Sequence, residues 1–236
     1  MTNKEGILGV LGGMGPQATN TFYQRIIDRT QAESDQEHLR VLIWSDAKIP
    51  DRTAGILGGR EEEVFQHLLA GAKLLEKAGC THLASPCNTS HYFADRLQAQ
   101  LHIPILHMLR ETVKTIQAAG KQTGGILATD GTVRTGIYQK ELEAAGLAAV
   151  TPPEDLQKTV MSIIYDEIKR GETGSREKFA EIDAFLRSAG CDCAILGCTE
   201  LSVYRSLHSL PPYYIDAMEV LAEQAILRCG KQLRNI

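Results

Sequence analysis

The chain lacks a long apolar run. Its first hydrophobic stretch ends at Leu11, and nowhere do about 20 apolar residues follow one another, so no spanning helix is expected. The opening residues Met1-Thr2-Asn3-Lys4-Glu5 are polar and carry no basic cluster ahead of a hydrophobic segment. A secretory leader needs both, so the expectation is a cytoplasmic protein with no membrane partner, whose thiols stay reduced. An excess of one charge is missing as well: 25 Lys and Arg against 29 Asp and Glu leave a net charge of −4. That balance excludes the basic footprint of a nucleic-acid binder. No Cys-x-x-Cys pair occurs to nucleate a zinc site, and the six cysteines are too scattered for a disulfide framework. Neither a low-complexity segment nor a long linker interrupts the chain.

What is present is ordinary soluble composition, 43% hydrophobic and 23% charged. A chain of 236 residues suits one large or two modest α/β units and buries roughly 70–75% of its unfolded surface without staples. Short β-type runs fall at 7–11, 41–45, 82–85, 103–106, 125–129, 193–196 and 213–215. Amphipathic helical stretches lie between them at 16–33, 61–78, 111–119, 132–145, 156–170 and 176–189. This alternation predicts βαβ units and mainly parallel sheets covered on both faces.

An internal repeat organises the alternation. Ala78-Gly79-Cys80, six residues, then Cys87 returns as Ala189-Gly190-Cys191, six residues, then Cys198. Ile7-Leu8-Gly9 is echoed by Ile126-Leu127-Ala128, and Ile103-Pro104-Ile105 by the stretch 212–215. Two related α/β domains are therefore expected. The first comprises residues 1–108 plus 210–236, closed by a C-terminal helix at 218–231; the second comprises 109–209.

In each copy a cysteine closes the strand. Cys87 lies in Pro86-Cys87-Asn88-Thr89-Ser90-His91 and Cys198 in Gly197-Cys198-Thr199-Glu200-Leu201, each where a strand gives way to a helix. Open parallel sheets bind ligands at that carboxyl edge. A cysteine at a helix N-terminus also feels the positive end of the dipole, which favours thiolate. Asn88, Thr89 and Thr199 can cap the helices or hydrogen-bond a ligand. Cys80, Cys191 and Cys193, at or near strand starts, read as core fillers, and Cys229 has no partner signal. Seven strand residues span about 23 Å, so Cys80 and Cys87 belong to opposite ends of a sheet, as do Cys191 and Cys198. One metal site gathering them is not expected. Two reactive thiols on related halves can instead serve one carbon from opposite faces. One thiolate removes a proton and the other thiol delivers one, which is racemisation or epimerisation without a cofactor. The carbanion then needs fixed donors around the substrate carboxylate.

Gly9-Val10-Leu11-Gly12-Gly13-Met14-Gly15-Pro16, Ile49-Pro50-Asp51-Arg52-Thr53, Pro86-Cys87-Asn88-Thr89 and Gly197-Cys198-Thr199-Glu200 together resemble the aspartate/glutamate racemase family, and within it the aspartate racemases. The resemblance runs from about Gly6 to the C-terminal helix. It implies an α/β fold of two pseudo-symmetric Rossmann-like domains with mainly parallel sheets and an active site in the cleft between them. It also implies an acidic amino-acid substrate, no cofactor and a homodimer. Carried across residue by residue, Cys87 and Cys198 become the paired acid and base, and Arg52 and Lys169 hold substrate carboxylates. Met14, Asn88, Thr89, Thr129, Thr132, Thr199 and Glu200 line the pocket. Two cations suit a dicarboxylate, because a second carboxylate buried unpaired is costly. Arg52, expected in a loop after a strand, can grip bidentately, whereas Lys169, near a helix C-terminus, supplies a point charge. Their charge should also depress the thiol pKa values. Cell-wall glutamate racemases carry an acidic residue and a serine in the first glycine-rich loop, and a His after the second Cys-Thr. Here that loop is Gly12-Gly13-Met14-Gly15 and the residue is Glu200, which disfavours that enzyme. His91, four residues beyond Cys87, is placed either to tune that thiol or to pack.

Rival readings remain. Gly13-Met14-Gly15-Pro16-Gln17-Ala18 fits the G-x-G-x-x-A turn of dinucleotide enzymes, but the acidic residue expected about 20 positions on is poorly met. A racemase of glutamate or another amino acid would use the same scaffold. So would a noncatalytic binder of acidic amino acids, against which both cysteines argue.

Overall fold

The computed structural model describes residues 5–235; the first four residues of the polar N-terminal stretch read above, and Ile236, lie outside them. The first half of the chain runs β1 (Ile7–Gly12), α1 (Pro16–Arg29), β2 (Arg40–Ser45), α2 (Arg52–Leu57), α3 (Glu61–Lys77), β3 (His82–Ala84), α4 (Ala94–Gln98) and β4 (Ile105–Leu106). The second runs α5 (Met108–Ala118), β5 (Thr123–Ala128), α6 (Asp130–Thr135), α7 (Ile137–Ala144), β6 (Ala148–Val150), α8 (Glu154–Ser162), α9 (Arg176–Ser188), β7 (Cys193–Gly197), α10 (Thr199–His208) and β8 (Tyr214–Asp216). Helix α11 (Ala217–Arg228) follows. Two four-stranded sheets result, ordered β2-β1-β3-β4 and β6-β5-β7-β8, with every pairing parallel. The two orders are the same order, so the repeat read in the cysteine spacing is a repeat of topology.

The chain divides into two compact units, one running to Met108 and resuming at Met218, the other Leu109–Ala217. Helix α11 returns to the first unit through ion pairs with α1: Arg29 Nε to Glu219 at 2.9 Å, Arg25 to Glu219 at 3.3 Å, and Arg29 to Glu223. The expected boundary at 210 is corrected. Strand β8 hydrogen-bonds to β7, with Ala194 opposite Tyr214 and Leu196 opposite Asp216, so residues 210–217 go with the second sheet. Strand β6 had no legible signal. It is three residues long at a sheet edge, with Ala148 and Ala149 exposed, so it carries no buried apolar pattern.

Central strands are apolar runs, as burial on both faces requires. All five residues of β7 (Cys-Ala-Ile-Leu-Gly) are buried, as are the last five of β1. Helix α3 shows the complementary stripe. Its buried residues Val64, Phe65, Leu68, Leu69, Ala72 and Leu75 recur at helical spacing, with Glu61–Glu63 in the first turn and Lys77 in the last.

Each central strand that leads to a cysteine is launched by the same helix stop. Gly79 after α3 and Gly190 after α9 adopt φ of +92° and +78°. Gly79 N–H donates to Glu76 O (3.0 Å) and Cys80 N–H to Leu75 O (3.2 Å); Gly190 and Cys191 repeat this to Arg187 and Leu186 (3.1 and 3.0 Å). This is the left-handed helix terminator that glycine provides without a Cβ penalty. Cys80 and Cys191 thereby mark equivalent strand starts, and Cys87 and Cys198 equivalent exits.

The turn from β1 into α1 is built around Gly13, at φ +92°. A Cβ there would lie 2.3 Å from the Asp46 carbonyl carbon. Gly13 N–H donates to Thr19 Oγ1 (2.9 Å), whose hydroxyl donates on to Gly15 O (3.0 Å). Pro16 then opens α1 at the position that tolerates a missing N–H. Among the described residues no helix is long and apolar enough to cross a membrane. Gly13→Ala combines left-handed strain with a clash against rigid backbone. The expected cost is about 3 kcal/mol, read as a drop of roughly 6–12 °C in the thermal midpoint by circular dichroism.

Candidate active site

A polar side chain buried in a folded protein needs a reason. Here such residues gather at the carboxyl ends of both sheets. Ser85, Asn88, Thr89, Ser90 and His91 follow β3; Thr129 and Thr132 follow β5; Thr199, Glu200 and Ser202 follow β7. A parallel sheet sends every strand's exit to one edge, so within each sheet the exit loops come together from distant parts of the sequence.

In the first unit Cys87 is 7% exposed and shares one buried cluster with Met14, Ile49, Ile56 and Phe93. Its carbonyl accepts from Ser90 Oγ (2.7 Å) and Ser90 N–H (3.2 Å), and Ser90 Oγ lies 3.0 Å from Ser85 Oγ. The chain beyond it forms a 3-10 turn, Thr89–Phe93, before α4, and the Asn88 side chain does not cap that turn. His91 Nε2 sits 3.2 Å from Ser85 O, and the ring lies 4.9 Å from that of His107. Those contacts support its packing role. Arg52 is the first residue of α2 rather than part of a loop, because Asp51 caps the helix by accepting Ala54 N–H at 2.8 Å. The Arg52 guanidinium Nη1 donates to Pro50 O (3.0 Å) and Ile49 O (3.3 Å), beside the segment that joins Met14 and Cys87 in the buried cluster.

The second unit is more strongly charged around its thiol. Cys198, also 7% exposed, is the N-cap residue of α10. Its Sγ donates to Glu200 Oε2 at 2.8 Å, and Thr199 Oγ1 donates to the same oxygen at 3.1 Å. Thr199 is thus spent on Glu200 and does not cap the helix, contrary to one sequence expectation. Lys169 Nζ lies 3.9 Å from Glu200 Oε1 and 3.7 Å from the centre of the Tyr165 ring. It is reached through an unusual segment: α8 continues as a π-helical turn (Ile163–Glu167) and a 3-10 turn (Ile168–Arg170). Such irregularities recur at functional sites. Thr129 and Thr132, fully or nearly buried, place their hydroxyls 3.3 Å apart at the start of α6.

Burial pushes the Cys198 thiol well above the ordinary thiol range, and the adjacent Glu200 carboxylate adds to that rise. Lys169 acts the other way and is outweighed. Lys169 thus depresses this thiol as expected, but the net shift is upward, because a desolvated sulfur beside a carboxylate is stabilised as S–H. Cys80, Cys191, Cys193 and Cys229 behave as fillers. All six cysteines are free and buried; burial lifts Cys80 and Cys191, Cys193 to about 12 and Cys229 to about 11. Among the described residues no group of three or more His, Cys, Asp or Glu is placed to hold a metal.

Three buried polar groups were not anticipated. Ser202 Oγ donates to Asp216 Oδ1 at 2.6 Å, fastening α10 to the end of β8. Tyr138, fully buried, has its phenol pushed up by burial, with the charge of Asp216 contributing in the same direction. Gln157 donates to Ala128 O (3.0 Å) and Asp130 Oδ1 (2.9 Å), holding the β5–α6 turn that carries Thr129. Nothing in their spacing marks them, because their partners lie 14 or more residues away.

Residues 11–225 match the Asp/Glu/Hydantoin racemase family. The chain belongs to this family. The broad specificity amino-acid racemase RacX of Bacillus subtilis is 30% identical over 188 residues, covering 70% of this chain and 80% of that one. A glutamate racemase of Corynebacterium diphtheriae is 26% identical over 142 residues, 58% of this chain and 51% of its own. Among solved structures, the aspartate racemase of Picrophilus torridus superposes with a TM-score of 0.81 at 29% identity, covering 97% of this chain and 96% of that one. The racemase shares its two-sheet α/β fold with that structure. Its Gly13–Ala18 turn has a packing explanation: glycine is required at 13 because the Asp46 backbone occupies the space of a side chain.

Lys169→Met removes the cation that opposes burial and Glu200. The Cys198 thiol of the racemase should rise further, so its iodoacetamide alkylation, followed by peptide mass spectrometry, moves to higher pH. Movement to lower pH would contradict the charge balance described for this thiol.

Proposed function

We propose that the chain racemises aspartate by two-base proton transfer at Cα, with Cys87 and Cys198 as the paired acid and base and no cofactor. The observation that carries this reading is the duplicated placement of two buried thiols. Each leaves the carboxyl end of the strand next to the first strand of its own sheet, after the same glycine stop, among buried polar groups. Thiols are suited to the work because the same sulfur can take a proton as thiolate and return it as thiol. Cys87 serves one face of Cα and Cys198 the other.

The charge that develops on substrate needs fixed donors. Helix α1 follows β1 and α10 follows β7, each without a side-chain cap, and a helix N-terminus of that kind favours a carboxylate or the enolate oxygen of the carbanion. Arg52 and Lys169 pair the two carboxylates of an acidic amino acid, one as a fork and one as a point charge. Met14, Asn88, Thr89, Thr129, Thr132, Thr199 and Glu200 border the substrate. The sequence resemblance implies that the protein works as a homodimer. Glutamate is the second reading, favoured by the glutamate racemase among the relatives and by the same need for two cations.

Incubation with L-aspartate in deuterated water is expected to give D-aspartate and deuterium at Cα; a noncatalytic binder gives neither. Cys87→Ser or Cys198→Ser should lower racemisation in both directions by roughly 10²–10⁴-fold, because each thiol is needed once per turnover. Exchange of the α-proton of a single enantiomer survives such a change. Full activity in either variant would sink the two-base reading. Across a panel of amino acids, aspartate should turn over fastest. Faster turnover of glutamate would favour the second reading, and activity on alanine or homoserine with little on aspartate would remove both.

A further inference from the structure

The two thiols are not equivalent. Two positions after Cys87 stands Thr89, whereas two positions after Cys198 stands Glu200, whose Oε2 accepts the Cys198 S–H at 2.8 Å. Resting on the two-thiol reading above, we propose that Glu200 is the positioning residue of Cys198. It holds the thiol proton at rest and takes that proton when Cys198 acts as base.

The surroundings of Glu200 fit a proton acceptor better than a structural carboxylate. It is 7% exposed, and a carboxylate so buried needs compensation. Its compensation is local. The second residue of α10 lies in the positive field of the helix N-terminus, Thr199 Oγ1 donates to Oε2 at 3.1 Å, and Lys169 stands 3.9 Å from Oε1. The oxygen bearing two hydrogen bonds is the one turned to sulfur. A group that only neutralised Lys169 would have no need to touch the thiol. Burial and the Glu200 charge both hold Cys198 as S–H, a state in which it cannot accept a proton. Release of that proton to Glu200 resolves the conflict without loss to solvent.

The protons balance. The Cys198 Sγ–H bond breaks as an Oε2–H bond forms on Glu200. The thiolate takes the Cα proton, forming S–H, while the C–H electron pair stays on the carbanion. The Cys87 thiol then protonates the opposite face and is left as thiolate. In the reverse direction the Cys87 thiolate removes the proton, Cys198 donates, and protonated Glu200 restores the Cys198 thiol. Bound forms of the two enantiomers therefore differ in whether Glu200 carries a proton.

The test uses the full chain and two readouts. Iodoacetamide alkylation of Cys198, followed by peptide mass spectrometry, reports the thiolate whether or not the enzyme turns over. Racemisation kinetics report kcat and KM separately. In Glu200→Gln the amide lacks the charge that holds the proton, so alkylation at pH 8 should quicken by about tenfold or more. Racemisation should respond in the opposite sense, kcat falling about tenfold or more with KM little changed. Glu200→Asp keeps the charge on a shorter arm and should restore part of both, which separates the effect from misfolding. Unchanged or slower alkylation in Glu200→Gln overturns the proposal, as does a raised KM with kcat intact, the pattern of a substrate ligand. Full racemisation in Cys198→Ser would remove the two-thiol reading instead, while the alkylation result would still report on the Cys198–Glu200 pair.

Discussion

The structure depends on a parallel sheet's polarity joined to a fixed helix stop. Because every strand in each sheet points the same way, every strand exit lies along one edge. The left-handed Gly79 and Gly190 set where β3 and β7 begin, and the strand rise of about 3.3 Å per residue then sets where they end. Moving either glycine by one residue would turn the exit residue to the other face of the sheet. A cysteine eight positions after the glycine stop is thus placed by backbone geometry alone, once in each sheet, and the polar loops of neighbouring strands are gathered beside it.

That edge is where the chain accepts buried polarity. Most of the buried polar side chains lie there, with Thr30, Thr112 and Glu167 buried elsewhere, while the Leu11–Leu75–Phe93 cluster of the first unit and the Leu127–Ile164–Leu201 cluster of the second are apolar. At the strand exits of the first unit hydroxyls, a histidine and a thiol are buried, and at those of the second hydroxyls, a carboxylate and a thiol. Low polarity strengthens every remaining interaction among them. The same physics that lifts Cys198 makes its bond to Glu200, and the opposing charge of Lys169, matter more than they would in water. The raised thiol is therefore a property of the site and not a failure of activation. Cys193, raised by burial and by the neighbouring Asp192 carboxylate, sits instead at the start of β7, with its sulfur 3.9 Å from the Thr123 carbonyl.

Much of this was legible in the chain. The α/β alternation follows from apolar runs separated by amphipathic stretches, and the duplication from two Ala-Gly-Cys turns with equal spacing to a second cysteine. The places that escaped share a cause. Strand β6 is short, edge-bound and half-exposed, so no burial pattern was impressed on it. The start of α2 at Arg52 depends on one side-chain cap from Asp51, a signal that Pro50 beside it disguised as a loop. Strand β8 belongs to the second sheet because Tyr214–Asp216 pairs with β7, a long-range choice that the adjoining C-terminal helix concealed.

At the site the division is sharper. By itself the sequence determined which residue types stand at the strand exits, and so the identity of both thiols and of the candidate carboxylate-binding cations, because local spacing sets what a turn presents. Only the tertiary structure decided their electrostatics. Spacing alone favoured a thiolate at a helix N-terminus, but desolvation and a carboxylate 2.8 Å from sulfur outweigh the dipole and hold Cys198 as a thiol. Charge and burial act through distance in space, and distance in space is what a linear pattern does not contain.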